Sequence, residues 1–134
     1  MATSSSEADF AAIGEGLISL PVATQGNEPM RIAISRSHNT PETFTHIDAI
    51  RTCVPDVEVV EQGSSYKFCM LAEGSVDYYV RTSNTYEWDT AAGELILSEA
   101  GGSTVAIESG KHLAYNKEQL NNPHFVCRSK YCRI

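Results

Sequence analysis

Residues Gly63 to Gly102 read GSSYKFCMLAEGSVDYYVRTSNTYEWDTAAGELILSEAGG. Gly63-Ser64 opens this stretch, and the run YKFCMLA follows. By composition that run suits a strand. The Ser N-cap before it and Gly74 at its far end predict a helix instead. Val76 to Val80 alternates as a strand, and Arg81 to Glu87 is a polar loop. A second helix is predicted from Asp89 to Ala100, closed by Gly101-Gly102. A strand between two helices points to an α/β fold. Asp89 has two readings. It is a helix N-cap, accepting the free N–H groups of the first turn, or it is a metal ligand held rigidly by helical backbone. In the second reading the small residues Ala91, Ala92 and Gly93 let another element pack close. Spacing alone leaves both open.

Upstream, Met30 to Ser35 alternates as a core strand and runs into Ser35-Arg36-Ser37-His38. Thr40-Pro41 marks a helix start, with Thr40 as N-cap and Pro41 at the first helical position. That helix is predicted to reach Cys53 and to bury Phe44, Ile47, Ile50 and Val54. Val57 to Gln62 is a β-branched strand. Downstream, Thr104 to Ile107 and Phe125 to Arg128 are strands. Phe10 to Leu20, with Gly14 and Gly16, reads as a hairpin, and Met1 to Asp9 as a disordered tail or the stump of a truncation. About five or six strands with three helices predict an α/β sandwich in which helices cover a mixed sheet.

The 134 residues suffice for one domain with its own core, and a hydrophobic fraction of 42% with 20% charged residues is that of a globular protein. Ten basic and seventeen acidic residues leave a net charge of -7. That argues against binding a nucleic-acid polymer or an anionic membrane, but not against a small anion met by a local cluster of donors. No apolar run is long enough for a transmembrane helix, and MATSSSEAD lacks the features of a secretory signal. The four cysteines form no Cys-x-x-Cys pair. Cys127, Cys132 and His124 match no standard zinc spacing, so the thiols read as buried or incidental in a reducing cytosol.

WDTAAGELILSEAGG resembles the second sequence motif of the inositol monophosphatase superfamily of metal-dependent phosphatases. The longer string from GSSYKFCMLAEG through TYEWDTAAG is most similar to the CysQ-type branch, the 3'(2'),5'-bisphosphate nucleotidases. The likeness runs from about Phe10 to Arg128. It implies the α/β sandwich of that family's C-terminal domain. It also implies a cytoplasmic, magnesium-dependent hydrolase of sulfur metabolism that converts adenosine 3',5'-bisphosphate to AMP. Inositol monophosphatase or fructose-1,6-bisphosphatase-like activity is the alternative within the family.

Phosphate-monoester hydrolysis needs an activated water, cations on the phosphoryl oxygens and in-line geometry, which divalent metals on a carboxylate cluster supply. The resemblance makes Asp89 one of those metal ligands and part of the substrate site. The family's upstream Asp-Pro-Ile/Leu-Asp-Gly-Thr motif occurs nowhere in the 134 residues. The chain therefore reads as the second half of an enzyme, without a complete set of catalytic residues and inactive alone. A non-catalytic remnant is the competing reading.

His38 matches a nucleotide-contacting histidine of the branch; by itself it is a solvated loop residue. Ser64 and Lys67 lie three apart at a helix start. Their hydroxyl and ammonium suit a non-scissile phosphate, or else they are an N-cap and a solvated lysine. Arg81 could fork onto phosphate oxygens; alone, it is a surface charge. Glu73 and Asp77 match no ligand position. Trp88 reads as core packing that fixes Asp89, and of Tyr78 and Tyr79 only one can face a ligand. Loss of a partner half would leave apolar surface uncovered, so a homo-oligomer is expected.

Overall fold

The structure, a computed structural model, describes residues 17–134. The tail at residues 1–9 and most of the expected hairpin lie outside the described residues. Residues 17–20, the described end of that hairpin, form no strand. In chain order the elements are β1 (Met30–Ile34), α1 (Pro41–Cys53), β2 (Val57–Glu61), α2 (Tyr66–Glu73), β3 (Tyr78–Arg81), α3 (Glu87–Glu99), β4 (Ser103–Ala106) and β5 (Phe125–Arg128). They form one five-stranded mixed sheet in the order β2-β1-β3-β5-β4. β1 pairs parallel with both β2 and β3, and β5 runs antiparallel between β3 and β4. The expected α/β sandwich is what forms.

Strand alternation divides the core into two layers. Met30, Ile32 and Ile34 of β1 join Tyr78, Val80 and Val126 on one face, under Ile47 and Ile50 of α1. Ala33, Tyr79, Phe125 and Cys127 point to the other face, where Phe68 and Leu71 of α2 and Leu97 of α3 cover them. Helices therefore cover both faces, and β1 sits where the crossovers through α1 and α2 diverge.

Local chemistry explains the helices. α1 starts at Pro41 behind Thr40, as its signals predict, but its buried stripe differs. Phe44 is 51% exposed, while Thr43, Ile47 and Ile50 are buried. A buried hydroxyl needs a partner, and Thr43 has one in Thr82 at 2.7 Å. Its spacing with Ile47 and Ile50 turns Phe44 outward. α2 ends at Gly74, whose φ of 87° suits a residue without a side chain. α2 and α3 pack closely because Gly93 leaves room. A Cβ there would stand 2.5 Å from the Phe68 ring.

The four cysteines are free. No cluster of three metal-binding side chains occurs among the described residues, Cys127, Cys132 and His124 included. Burial pushes the Cys127 thiol up to about 12. No described helix is long and apolar enough to cross a membrane.

Candidate active-site cleft

The parallel strands β1, β2 and β3 end on the same edge of the sheet, and ligands of open α/β sheets bind beyond the carboxyl ends of such strands. Here the chain after β1 (Ser35–His38), the turn after β2 (Gly63–Ser65) and the segment after β3 (Asn84–Thr90) wall a cleft of about 560 Å³. His38, Ser64, Lys67, Arg81 and Asp89 all line it. So do Arg36 and Tyr79, which the motif reading did not select. Arg36 lies inside the same SRSH string. Tyr79 is the inward member of the Tyr78-Tyr79 pair, and Tyr78 instead bonds His46 from the opposite face at 2.8 Å.

Three fixed or near-fixed cations, Arg36, Lys67 and Arg81, thus stand in one cleft of a chain that is net negative. Arg81 donates from Nη1 to Ser35 Oγ at 2.6 Å and from Nη2 to the Asn84 carbonyl at 3.4 Å. Its Nε is buried and has no partner among the described residues. Lys67 is only 2% exposed. Burial first, and the Arg81 charge second, push its ammonium down to about 8. His38 is exposed on its loop, with Nδ1 3.2 Å from Ser37 Oγ.

Three local expectations need correction. α3 starts at Glu87, so Asp89 is its third residue and not its N-cap. Its Oδ2 accepts the Tyr86 N–H at 2.9 Å, the backward half of a capping box. Trp88 is not core packing. It is 67% exposed and stacks on Tyr86 at 4.7 Å, because the second position of α3 faces away from the sheet. The Tyr86 backbone N–H, rather than Trp88, holds the Asp89 carboxylate. The N-cap of α2 is Ser65, while Ser64 precedes it with φ 58°.

The sequence pattern of the inositol monophosphatase family matches residues 11–131. This chain belongs to the inositol monophosphatase family. Within the family it is a CysQ-type protein. It is 38% identical over 108 residues to the 3'(2'),5'-bisphosphate nucleotidase CysQ of Haemophilus influenzae, covering 77% of this chain and 37% of that one. Against the nucleotidase CysQ of Buchnera aphidicola the identity is 38% over 92 residues, covering 69% of this chain and 32% of that one. The crystal structure of CysQ from Bacteroides thetaiotaomicron superimposes with a TM-score of 0.79 at 40% identity, over 90% of this chain and 44% of that one. The chain therefore spans about a third of the named nucleotidases and under half of the solved relative.

A divalent cation of the kind such a family uses takes oxygen ligands, several at once. Asp89 fits as one of them. It is exposed at the cleft, one oxygen is steadied by a backbone N–H, and the other has no partner among the described residues. No second carboxylate among the described residues lines the cleft with it. The described residues can offer one ligand, not a metal centre.

Proposed function

We infer that this chain forms the substrate-pocket part of a magnesium-dependent 3'(2'),5'-bisphosphate nucleotidase, which hydrolyses adenosine 3',5'-bisphosphate to AMP and phosphate. The observation that supports it best is the cationic cleft at the carboxyl edge of β1, β2 and β3. A nucleoside bisphosphate brings two dianionic groups. One is attacked by water, so that an oxygen–phosphorus bond forms while the ester bond breaks. The other must be held apart from the chemistry, and Ser64 and Arg81 suit that task, with Lys67 behind the turn that carries Ser64. His38, exposed on the facing loop, would meet the nucleoside. Asp89 would be one ligand to magnesium, which supplies charge stabilisation and an activated water when bound. An inositol monophosphate offers no second phosphate for the cationic wall, which favours the nucleotidase over the inositol phosphatase reading. The lone Asp89 carboxylate favours a second reading for the chain by itself, as a binding domain without turnover.

Trp88 is the sole tryptophan and lines the cleft, so its fluorescence reports occupancy. Adenosine 3',5'-bisphosphate is expected to bind the chain at least about tenfold more tightly than inositol monophosphate. That is the effect of one added charge-assisted contact of roughly 1.5–3 kcal/mol. Equal affinities would overturn the assignment of the cationic wall to a second phosphate.

The proposal includes self-association of the chain. Ala92, Leu95 and Ile96 lie exposed on α3, Leu95 at 62% and Ile96 at 42%. A second copy covering that stripe makes a two-fold dimer. Light scattering should give twice the chain mass, and Leu95→Glu should return it to monomer. A monomer at high concentration that binds no hydrophobic dye would count against this.

A further inference from the structure

Within the cleft wall the Lys67 ammonium is tied back onto its own chain. It donates to the carbonyls of Gln62 and Ser64, both at 2.8 Å, and sits 5.0 Å over the Tyr79 ring. An ammonium has three protons, and two are committed to the turn that joins β2 to α2. That turn needs holding. Ser64 sits in the left-handed region, which is unfavourable for a residue with a Cβ and persists where surrounding bonds fix it. The Ser64 hydroxyl adds only a 3.4 Å bond from the Tyr66 N–H. Gly63, Ser64 and Ser65 form this wall of the cleft.

We propose that Lys67 is a positioning residue, which sets the turn between Gln62 and Ser65 and thereby places Ser64 against the phosphate of the substrate. The inference rests on the cleft's binding a phosphorylated nucleotide. In this arrangement the direct charge contact falls to Arg81 and Arg36, and Lys67 acts mainly through the turn. The hydrogen bonds give the reason. A lysine meant only to meet ligand charge would keep its ammonium free, as a solvated head on a flexible stem. This one is buried, and two carbonyls and an aromatic face compensate its charge.

The test uses the whole chain by NMR, with and without adenosine 3',5'-bisphosphate. In Lys67→Met without ligand, the Gly63, Ser64 and Ser65 amides are expected to shift and to exchange at least about tenfold faster, while the sheet amides stay in place. Arg81→Met should lose nucleotide affinity and leave those three amides unmoved. Unmoved turn amides in a folded Lys67→Met that has lost affinity would overturn the proposal and make Lys67 a direct contact. A measurement on the unaltered chain covers the case in which Lys67→Met fails to fold. The carbonyl carbons of Gln62 and Ser64 should shift together as the ammonium titrates near pH 8, and carbonyls that do not respond would equally overturn it. Absence of any Trp88 response to nucleotide in the unaltered chain would remove the binding reading alone, since the amide and carbonyl results are obtained without ligand.

Discussion

No phosphate is expected to be released when the 134-residue chain alone is given adenosine 3',5'-bisphosphate and a magnesium salt. Phosphate monoesters are among the slowest of biological bonds to hydrolyse without a catalyst, and enzymes that cleave them gain many orders of magnitude. Most of that gain comes from positioned water and from cations on the transferring group. Magnesium keeps several of its waters and is held by carboxylates together with substrate phosphate. Among the described residues the cleft offers one carboxylate, Asp89. A single exposed carboxylate gives neither the affinity nor the fixed geometry that an in-line attack needs. The rate should be indistinguishable from buffer by phosphate-release assay, even where Trp88 fluorescence shows the nucleotide bound. Release above background that disappears in Asp89→Asn would overturn the expectation.

The parts of the fold that depend on short-range chemistry were legible in the sequence. Thr40-Pro41 starts α1, and the Ser and Gly bounds of YKFCMLA identify α2 against its strand-like composition. Alternation places Tyr78 and Tyr79 on opposite faces. What escaped depends on atoms brought together by the fold. Thr43 looks too polar for a core stripe until Thr82, from β3's end, supplies its partner. Phe44 looks like core until that exchange turns it outward. The capping of α3 uses the backbone of Tyr86, a residue type that no N-cap rule selects, so the N-cap reading of Asp89 misses by three positions.

The site shows the same division. The five residues taken from motif likeness line one cleft, because the motifs lie at the ends of three neighbouring parallel strands. Their detailed bonding was not readable. Lys67 reads from the sequence as a solvated lysine or a ligand contact, and its bonds to the Gln62 and Ser64 carbonyls were not foreseen. Arg36 is adjacent to residues that were selected and became visible as a third cation only when three chain segments met. Trp88 shows the limit most plainly. An aromatic beside a candidate site acid reads as packing, yet the helix leaves Trp88 67% exposed.

Asp77→Ala should lower stability by about 3–5 kcal/mol, a large share of the 5–15 kcal/mol typical of a domain. The residue is charged and only 2% exposed, so its carboxylate must be satisfied by hydrogen bonds. One oxygen accepts the Asn27 backbone N–H at 3.0 Å and its side-chain Nδ2 at 3.2 Å. The other accepts the Arg31 N–H at 2.8 Å. The Asp77 backbone adds a bond from its N–H to the Arg31 carbonyl and one from the Ser129 N–H to its own carbonyl, both 2.9 Å. The side chain thus ties the loop before β1 to the entry of β3, and the backbone carries the tie on to the end of β5. Alanine removes three acceptor contacts at once and leaves two backbone N–H groups facing no acceptor. Asparagine keeps one acceptor oxygen, so Asp77→Asn should cost roughly half as much. The effect should be confined to stability, because Asp77 stands at the edge of the sheet opposite the cleft. Urea unfolding followed by far-UV circular dichroism reads the first claim, and nucleotide titration of the folded variant at low temperature reads the second. A loss below about 1 kcal/mol for alanine would show that the three contacts are not what holds this corner of the sheet together.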